Sequence, residues 1–387
     1  PVARKAQTLG VLRRAQRHRQ GIGHGAPLAH GNQIEHGKRD ILQSFGHAPI
    51  VRECRCTAHP WHASPRTLPM KPNDTPLQVL PRELSAYRAG NTGVDYVHRF
   101  DSGRPGPHVL VNALTHGNEI CGMVAATHLL DTGVRPLIGV LTVSFAHVEA
   151  YEAFRADDPF ANRQIVHNLN RVWSDAWLSG SEDSPELRRA RQLRPVVAAA
   201  DHILDIHSTS HDGGAFWVYP DFARNARTAL AVGAGGAVTT HLVMPSGLGS
   251  GTPLIEHGRH GQPGEVAGAA LVVECGQHFL RSSAEVATRT ALDFLAHFGL
   301  IDAPVANATP AAQRRFELLR TCMVQTEAFR FTRPLSGFET FAQGELIASD
   351  GAAGEIRSPC DECTVFMPTR RPIVGREAVY LTKPRSA

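Results

Sequence analysis

The sequence lacks the features of a membrane or exported protein. None of its apolar runs approaches the roughly 20 residues that a membrane-spanning helix requires. The N-terminus is basic, but it has no apolar core followed by a small-residue cleavage site, which argues against a secretory signal. We therefore expect no association with a membrane.

Cysteines are few and odd in number, which argues against the disulfide framework of a small secreted protein. The seven cysteines are scattered through 387 residues. Cys360 and Cys363 form a Cys-x-x-Cys pair, but no second pair stands at zinc-ribbon spacing. Structural thiols are therefore favoured there over a metal site, and a reducing cytoplasm is the expected location.

Positive charge is scarce outside the first 69 residues. Residues 1–69 contain 11 Lys and Arg against 3 Asp and Glu, a net charge of +8. The rest of the chain contains 29 against 33, a net charge of −4. The folded body therefore has no basic excess of the kind that indicates nucleic-acid binding.

Composition divides the chain into three regions. Residues 1–69 have no regular apolar spacing and bury too little apolar surface to offset the entropy of ordering. We therefore expect this segment to be disordered or, because the first methionine is Met70, not to be translated. Peptides from residues 1–69 in a digest of the native protein would contradict the second possibility. Its seven histidines leave a metal-scavenging tail as the alternative. Residues 70–309 are predicted to form the main domain, and residues 310–387 a small β domain.

From residue 108 onward, strands alternate with helices. Residues 108–114 and 137–145 are β-rich apolar runs typical of buried strands. Apolar side chains at helical spacing predict a helix over residues 119–130 between them. Further short strands are expected at 202–206, 216–219, 241–244 and 271–274. The alternation predicts an α/β sheet covered by helices on both faces.

Three other helices have candidate start signals. Ser184, Pro185 and Glu186 form a good N-cap, first position and first turn for a helix that runs to about residue 200. Asp221 and Ser283 are expected to cap the two helices that follow them.

Candidate metal ligands stand where two of the predicted strands end. His116 and Glu119, three residues apart on a turn that enters a helix, can direct an imidazole and a carboxylate at one point. A strand repeats its face every two residues, so Asp205 and His207 point the same way. Asp205 can then accept a hydrogen bond from a ligating histidine and fix its tautomer. Each residue alone would be an ordinary turn or core residue.

Two histidines and one carboxylate are typical of a catalytic zinc site, since three protein ligands leave a fourth position open for water. Zinc lowers the pKa of that water to roughly 7, and a base must still take its proton. Glu274 ends the apolar strand predicted at 271–274 and is the natural candidate. A salt bridge is the alternative role for this carboxylate.

Two arginines eight residues apart, Arg163 and Arg171, could divide two tasks in hydrolysis. A fixed guanidinium stabilises the negative charge that develops on the carbonyl oxygen. A substrate carboxylate also calls for a planar, forked donor. In isolation either arginine would be a surface charge.

Four short motifs occur in one order along the chain. They are His116-Gly117-Asn118-Glu119, Asn168-Leu169-Asn170-Arg171, Asp205-Ile206-His207-Ser208 and Glu274-Cys275-Gly276-Gln277. Together they resemble the motif set of the succinylglutamate desuccinylase/aspartoacylase family, a branch of the zinc carboxypeptidase-like hydrolases. The resemblance spans about residues 101–383. It implies a mixed sheet flanked by helices, with a small C-terminal β domain.

The resemblance also implies a role for each motif. His116, Glu119 and His207 would bind one zinc ion per chain, and Glu274 would be the catalytic glutamate. The implied activity is a zinc-dependent amidohydrolase that removes the acyl group from a small N-acyl amino acid or a related amide. A metallocarboxypeptidase acting on peptides and a zinc-binding protein without catalysis remain as alternatives.

The arginine motif carries the substrate contacts in the family. By the resemblance, Asn170 and Arg171 would hold a substrate carboxylate, and Arg163 would polarise the scissile carbonyl. The family usually has Asp where this chain has Asn168. We expect that change to alter the support of the arginine loop rather than the metal chemistry.

Overall fold

A computed structural model of the protein describes residues 77–386 apart from 235, 237, 246–249, 266 and 303–311. The predicted extension over residues 1–69, the start at Met70 and the domain boundary at 310 lie outside the described residues.

Most strands join one mixed sheet of eleven strands in the order β1-β3-β2-β4-β7-β5-β6-β8-β14-β13-β10. Its strands in chain order are β1 (Val97–Asp101), β2 (His108–Ala113), β3 (Val140–Phe145), β4 (His202–Thr209), β5 (Phe216–Pro220), β6 (Thr240–Met244), β7 (Ala270–Gln277), β8 (Arg314–Met323), β10 (Thr340–Phe341), β13 (Cys363–Phe366) and β14 (Glu377–Arg385). The three neighbours β2, β4 and β7 run parallel. The remaining strands, β9 (Phe329–Phe331), β11 (Leu346–Asp350) and β12 (Glu355–Arg357), form a small antiparallel sheet.

Six α-helices accompany the strands in the described part of the chain. They are α1 (Ile120–Asp131), α2 (Val148–Glu152), α3 (Asp175–Ser179), α4 (Pro185–Ala199), α5 (Ala223–Gly233) and α6 (Arg281–His297). None of these helices is long and apolar enough to cross a membrane. The helix predicted over 119–130 and the one that follows Ser184 are both confirmed.

Only one of the three predicted N-cap residues caps a helix. Ser184 caps α4, because its side chain accepts a hydrogen bond from the Leu187 amide. The prediction was wrong for Asp221, which pairs with Arg385 one residue before the actual N-cap of α5. It was also wrong for Ser283, which lies inside α6 and donates to the Gln277 carbonyl at 2.7 Å.

Successive residues of the central strands enter different apolar clusters on the two faces of the sheet. Val109 and Val111 pack in the cluster that includes residues of α1, α5 and α6. Leu110 between them packs with residues of α4. The central strands are therefore covered by helices on both faces. The predicted mixed α/β sheet flanked by helices is confirmed.

The C-terminal region contributes to both sheets. β8 pairs in parallel with β6, so β8, β14, β13 and β10 extend the main sheet. β9, β11 and β12 form the small sheet, which shares an apolar cluster with β8, β10, β13 and β14. The region is β-rich as predicted, but the strand ladder of the main sheet continues into it.

His241 on β6 is a buried histidine whose titration should affect stability. Its side chain is fully buried, with Tyr219 Oη 3.2 Å from Nδ1 and Gln313 Oε1 2.6 Å from Nε2. Burial lowers the pKa of His241 from its usual 6.5 to about 4.

Acid should therefore destabilise the fold through His241. The unfolded state binds the proton between about pH 6.5 and 4 and the folded state does not, so stability falls as the pH falls through this window. We expect this residue to remove about 2 kcal/mol of unfolding free energy between pH 7 and pH 5. In urea unfolding curves, the His241→Gln variant should lose less stability than the wild type over this interval. An equal loss in both proteins would contradict the assignment.

Candidate metal centre and active site

The first two candidate ligands stand on the turn between β2 and α1. Leu114 follows β2 with a φ of 59°, and Glu119 is the N-cap residue of α1. A side chain at Gly117 would clash with the backbone oxygen of Asn162. Glycine at this position therefore lets the segment of Asn162 cross directly over the ligand turn.

The third ligand and the candidate base are neighbours across the sheet. His207 on β4 is the register partner of Glu274 on β7, and the two strands are parallel. Register partners in a ladder project to the same face of the sheet. The pairing therefore sets the carboxylate of Glu274 beside the His207 ring.

His116, Glu119 and His207 converge on one point. One ligand atom from each residue lies within 4.8 Å of the others, and all three side chains are buried. His116 Nδ1 is 2.8 Å from Glu119 Oε1, and His207 Nδ1 is 2.9 Å from Glu119 Oε2. Among the described residues, this is the only group of three or more histidine, cysteine or acidic side chains with such spacing.

The outer nitrogens of both histidines are occupied. His207 donates from Nε2 to Asp205 Oδ2 at 2.8 Å, and His116 donates from Nε2 to Asn168 Oδ1 at 2.8 Å. A neutral imidazole that donates from Nε2 keeps the Nδ1 lone pair for a cation. Asp205 thus has the position expected from the strand period. Asn168, expected to support the arginine loop, also contacts a candidate ligand directly.

Asp205 is itself fixed from the neighbouring strand. Its Oδ1 accepts hydrogen bonds from Asn112 Nδ2 and Thr115 Oγ1, both at 2.8 Å. These bonds tie the end of β4 to the end of β2, because Asn112 and Asp205 are register partners. The turn that carries His116 and Glu119 and the end of β4 that carries His207 are therefore held at one edge of the sheet.

The donor set fits a divalent metal ion. Burial and the nearby Arg163 charge lower the pKa of His116 to about 4, so its ring is neutral at pH 7. Burial opposes ionisation of Glu119, but the two histidines lower the pKa of its carboxyl well below the usual range. Glu119 Oε2 has no partner in hydrogen-bond geometry among the described residues. A buried carboxylate oxygen without such a partner is expected where a cation would bind.

Glu274 has the electrostatic character of a general base. Its side chain is 8% exposed, and its Oε2 has no hydrogen-bond partner in the described part of the chain. Burial raises the pKa of Glu274 to about 8 in the metal-free protein, against the opposing charge of His207. Such a carboxyl group can exchange a proton near neutral pH.

Arg163 reaches the same centre from a 3₁₀-helical turn (Ala161–Arg163). Its Nη1 donates to Glu119 Oε1 at 3.0 Å, and its side chain lines the cavity above the ligands. The guanidinium is therefore close enough to the centre to contact a substrate carbonyl there.

The other two residues of the arginine motif differ from each other. Arg171 lines the cavity, where its Nη2 donates to Glu377 Oε1 at 2.9 Å and to Tyr380 Oη at 3.3 Å. Asn170 is buried, does not line the cavity, and accepts a hydrogen bond from the Leu254 amide at 3.0 Å. A substrate contact by Asn170 stays a prediction.

A cavity of about 660 Å³ opens above these residues, and the C-terminal region supplies much of its wall. The wall residues from that region include Met323, Met367, Arg370, Arg371, Arg376, Glu377 and Tyr380. Nothing in the sequence pattern marked them as site residues. Glu377 stands 206 positions from its partner Arg171, and only the path of β14 through the main sheet brings the two together.

Four further histidines are buried. They are His211, His257, His260 and His278. His211 and His278 line the cavity, and His278 Nδ1 lies 2.8 Å from Ser208 Oγ. His257 and His260 instead contact backbone carbonyls outside the cavity.

Residues 105–246 match the family model of the succinylglutamate desuccinylase/aspartoacylase catalytic domain. The match confirms the resemblance to this family that is seen in the motifs. The matched residues include all three candidate ligands and both arginines, whereas Glu274 lies beyond them.

Two curated relatives carry the name N-acyl-aromatic-L-amino acid amidohydrolase (carboxylate-forming). The protein from Rattus norvegicus is 32% identical over 126 residues, which cover 30% of this chain and 37% of the rat protein. The protein from Homo sapiens is 30% identical over 115 residues, which cover 27% of this chain and 34% of the human protein. The alignments thus span about a third of each curated relative.

The fold is shared with a solved structure over most of both chains. The crystal structure of succinylglutamate desuccinylase from Vibrio cholerae superposes with a TM-score of 0.56 at 20% identity. The superposition covers 75% of this chain and 86% of the Vibrio chain. At this identity the likeness establishes a common fold.

Metal affinity should depend on Asn168, because its side chain orients the His116 ring. We expect Asn168→Leu to weaken zinc binding roughly 10- to 100-fold, and Asn168→Asp to bind at least as tightly as the wild type. Competition with a chromogenic chelator measures both affinities. Asn91→Leu is the matched control, because the exposed Asn91 side chain bonds the backbone of Arg99, away from the candidate metal centre. Equal affinity of the wild type and Asn168→Leu would contradict this role.

Proposed function

We propose that the protein is a zinc-dependent amidohydrolase that removes the acyl group from a small N-acyl amino acid. The observation that carries this proposal is the register of His207 against Glu274. It sets Glu274, a buried carboxylate that lines the cavity, beside the His-Glu-His donor set, and no described residue is a hydrogen-bond partner of its Oε2.

His116, Glu119 and His207 would hold the zinc ion. Two imidazoles and one carboxylate are a common ligand set of catalytic zinc, and they leave a coordination position open. When bound, zinc supplies Lewis acidity, which polarises a carbonyl and makes water more acidic.

The chain's own residues would carry the remaining steps. Glu274 would take a proton from the attacking water and deliver it to the nitrogen of the leaving amine, so one carboxylate would serve as base and then as acid. Arg163 would donate to the substrate carbonyl oxygen and stabilise the charge that develops on it. Its contact with Glu119 supports this assignment, since it holds the guanidinium at the centre.

The charge of the cavity supports an acidic substrate. Five arginines line the cavity, against two glutamates, Glu274 and Glu377. Because Arg171 already contacts Glu377, a substrate carboxylate would bind beside this ion pair, in the field of the remaining arginines. An N-acyl amino acid supplies one carboxylate in every case, and the names of the curated relatives describe the same class of compound.

Replacing the proposed base should abolish turnover and leave metal binding intact. We expect Glu274→Gln to lower kcat by roughly 10²- to 10⁴-fold. Elemental analysis should still find one zinc ion per chain. The exposed Glu285, on the outer surface of α6, provides the control variant Glu285→Gln with unchanged kcat. Turnover by Glu274→Gln at the wild-type rate would refute the assignment of the base.

A substrate panel tests the proposed reaction. Zinc-loaded protein should hydrolyse members of a set of N-acetyl and N-succinyl amino acids and leave peptides with free C-termini uncut. Cleavage of the peptides alone would indicate a metallocarboxypeptidase. Stoichiometric zinc without hydrolysis of either set would indicate a zinc-binding protein without catalysis.

A further inference from the structure

The segment that carries Arg163 has little apolar anchoring. Residues 164–168 have no regular secondary structure between the short 3₁₀ turns Ala161–Arg163 and Leu169–Arg171. Ile165 and Val166, its two apolar side chains, are 45% and 54% exposed. Packing of side chains therefore does not determine where this stretch of backbone lies.

A buried carboxylate holds the backbone in the middle of the segment. Glu186, in the first turn of α4, is fully buried. Its Oε1 accepts hydrogen bonds from the amides of Ile165 at 2.7 Å and Val166 at 3.0 Å, and from His147 Nε2 at 3.0 Å. Hydrogen bonds to a buried carboxylate are stronger than neutral ones, and the N-terminus of α4 favours its negative charge.

Glu186 is charged at neutral pH despite its burial. Burial alone would raise the pKa of its carboxyl, but the amide of Ile165, the His147 ring and the neighbouring amides lower it to about 2. The bonds to the segment are therefore charge-assisted throughout the neutral range.

The two ends of the held segment both reach the candidate metal centre. At one end Arg163 contacts Glu119, and its carbonyl accepts a hydrogen bond from the Gly117 amide at 3.1 Å. At the other end Asn168 accepts the hydrogen bond from His116. A shift of the backbone between them would move both contacts together.

We propose that Glu186 is a positioning residue for the reaction, which holds residues 164–168 so that Arg163 reaches the substrate carbonyl. This inference rests on the proposed function, because Arg163 must act in hydrolysis for its position to matter. Glu186 lies outside the cavity wall and contacts no ligand of the candidate metal site.

A double-mutant cycle tests the proposal with zinc-saturated protein. We expect Glu186→Ala to lower kcat about tenfold or more, with a smaller change in KM, and Glu186→Gln to lie between this variant and the wild type. In an Arg163→Ala background the same substitution should change kcat less than about twofold, because the group that it positions is absent. Equal losses in the two backgrounds would overturn the proposal.

A structural defect alone would not produce that pattern. Asp350 is a matched control, because it is also buried and accepts two backbone amides, Gln325 at 2.6 Å and Thr326 at 2.8 Å, away from the cavity. Asp350→Ala should lower the melting temperature and leave kcat unchanged. A tenfold loss of kcat in this variant would assign the effect of Glu186 to general destabilisation and overturn the proposal.

Amide hydrogen exchange separates this inference from the proposed function. If the wild type hydrolyses no member of the substrate panel, the proposed function fails, and exchange still tests the role of Glu186. The amides of residues 163–168 should exchange faster in Glu186→Gln than in the wild type at a temperature where both are folded. Unchanged protection of that segment would overturn the positioning role whatever the activity.

Discussion

The parallel alignment of β2, β4 and β7 is the constraint on which the rest of the site depends. Hydrogen-bond ladders fix the three strands in register, so their carboxyl ends meet at one edge of the sheet. The register pairs Asn112 with Asp205 and His207 with Glu274. A slip of one residue in β4 would turn His207 to the opposite face and remove it from the centre. The candidate metal centre is thus specified by the same interactions that hold the sheet together.

The C-terminal region completes the cavity through the same sheet. β8 joins β6 in parallel and β14 joins β8, so the main ladder carries Glu377 and Tyr380 to Arg171. Arg171 and Glu377 are both largely removed from water, with side-chain exposures of 22% and 30%. Removing this ion pair from water costs desolvation free energy, and separating its two residues would leave each charge uncompensated. Arg171 is therefore held in one orientation before any substrate arrives, and ordering it on binding costs less entropy.

Most of the fold and the convergence of the three candidate ligands were predictable because their signals are local. Strand and helix periods are visible in short windows, and His116, Glu119 and His207 each stand directly at a predicted element end. The strand predicted at 137–145 begins only at Val140, because Gly139 adopts a φ of 63° in a turn where a side chain would clash with Pro107. A helix start depends on a single cap geometry, which explains why Asp221 and Ser283 were assigned wrongly while Ser184 was not.

What could not be predicted depends on contacts between distant residues. The order of strands in the sheet decides that Glu274 faces His207, and no spacing in the sequence records that order. Cavity residues such as Glu377 and His278 carry no local motif that would mark them as part of the site.

Buried polar side chains can fix the position of a residue such as Arg163 in a segment that has little regular secondary structure. Each buried donor in such a segment must find an acceptor, and one carboxylate that accepts several amides fixes more backbone than one apolar side chain does. Glu186 fixes residues 164–168 by accepting the amides of Ile165 and Val166. Asn162 fixes the other side by donating to the carbonyls of Gly117 and Ala150. Gly117 lets the two segments approach so closely. The strands therefore set the positions of His207 and Glu274, while buried polar side chains set the position of Arg163. We expect the loss of one such anchor to move Arg163 more than it disturbs the apolar core, because the core lies in the sheet and helices.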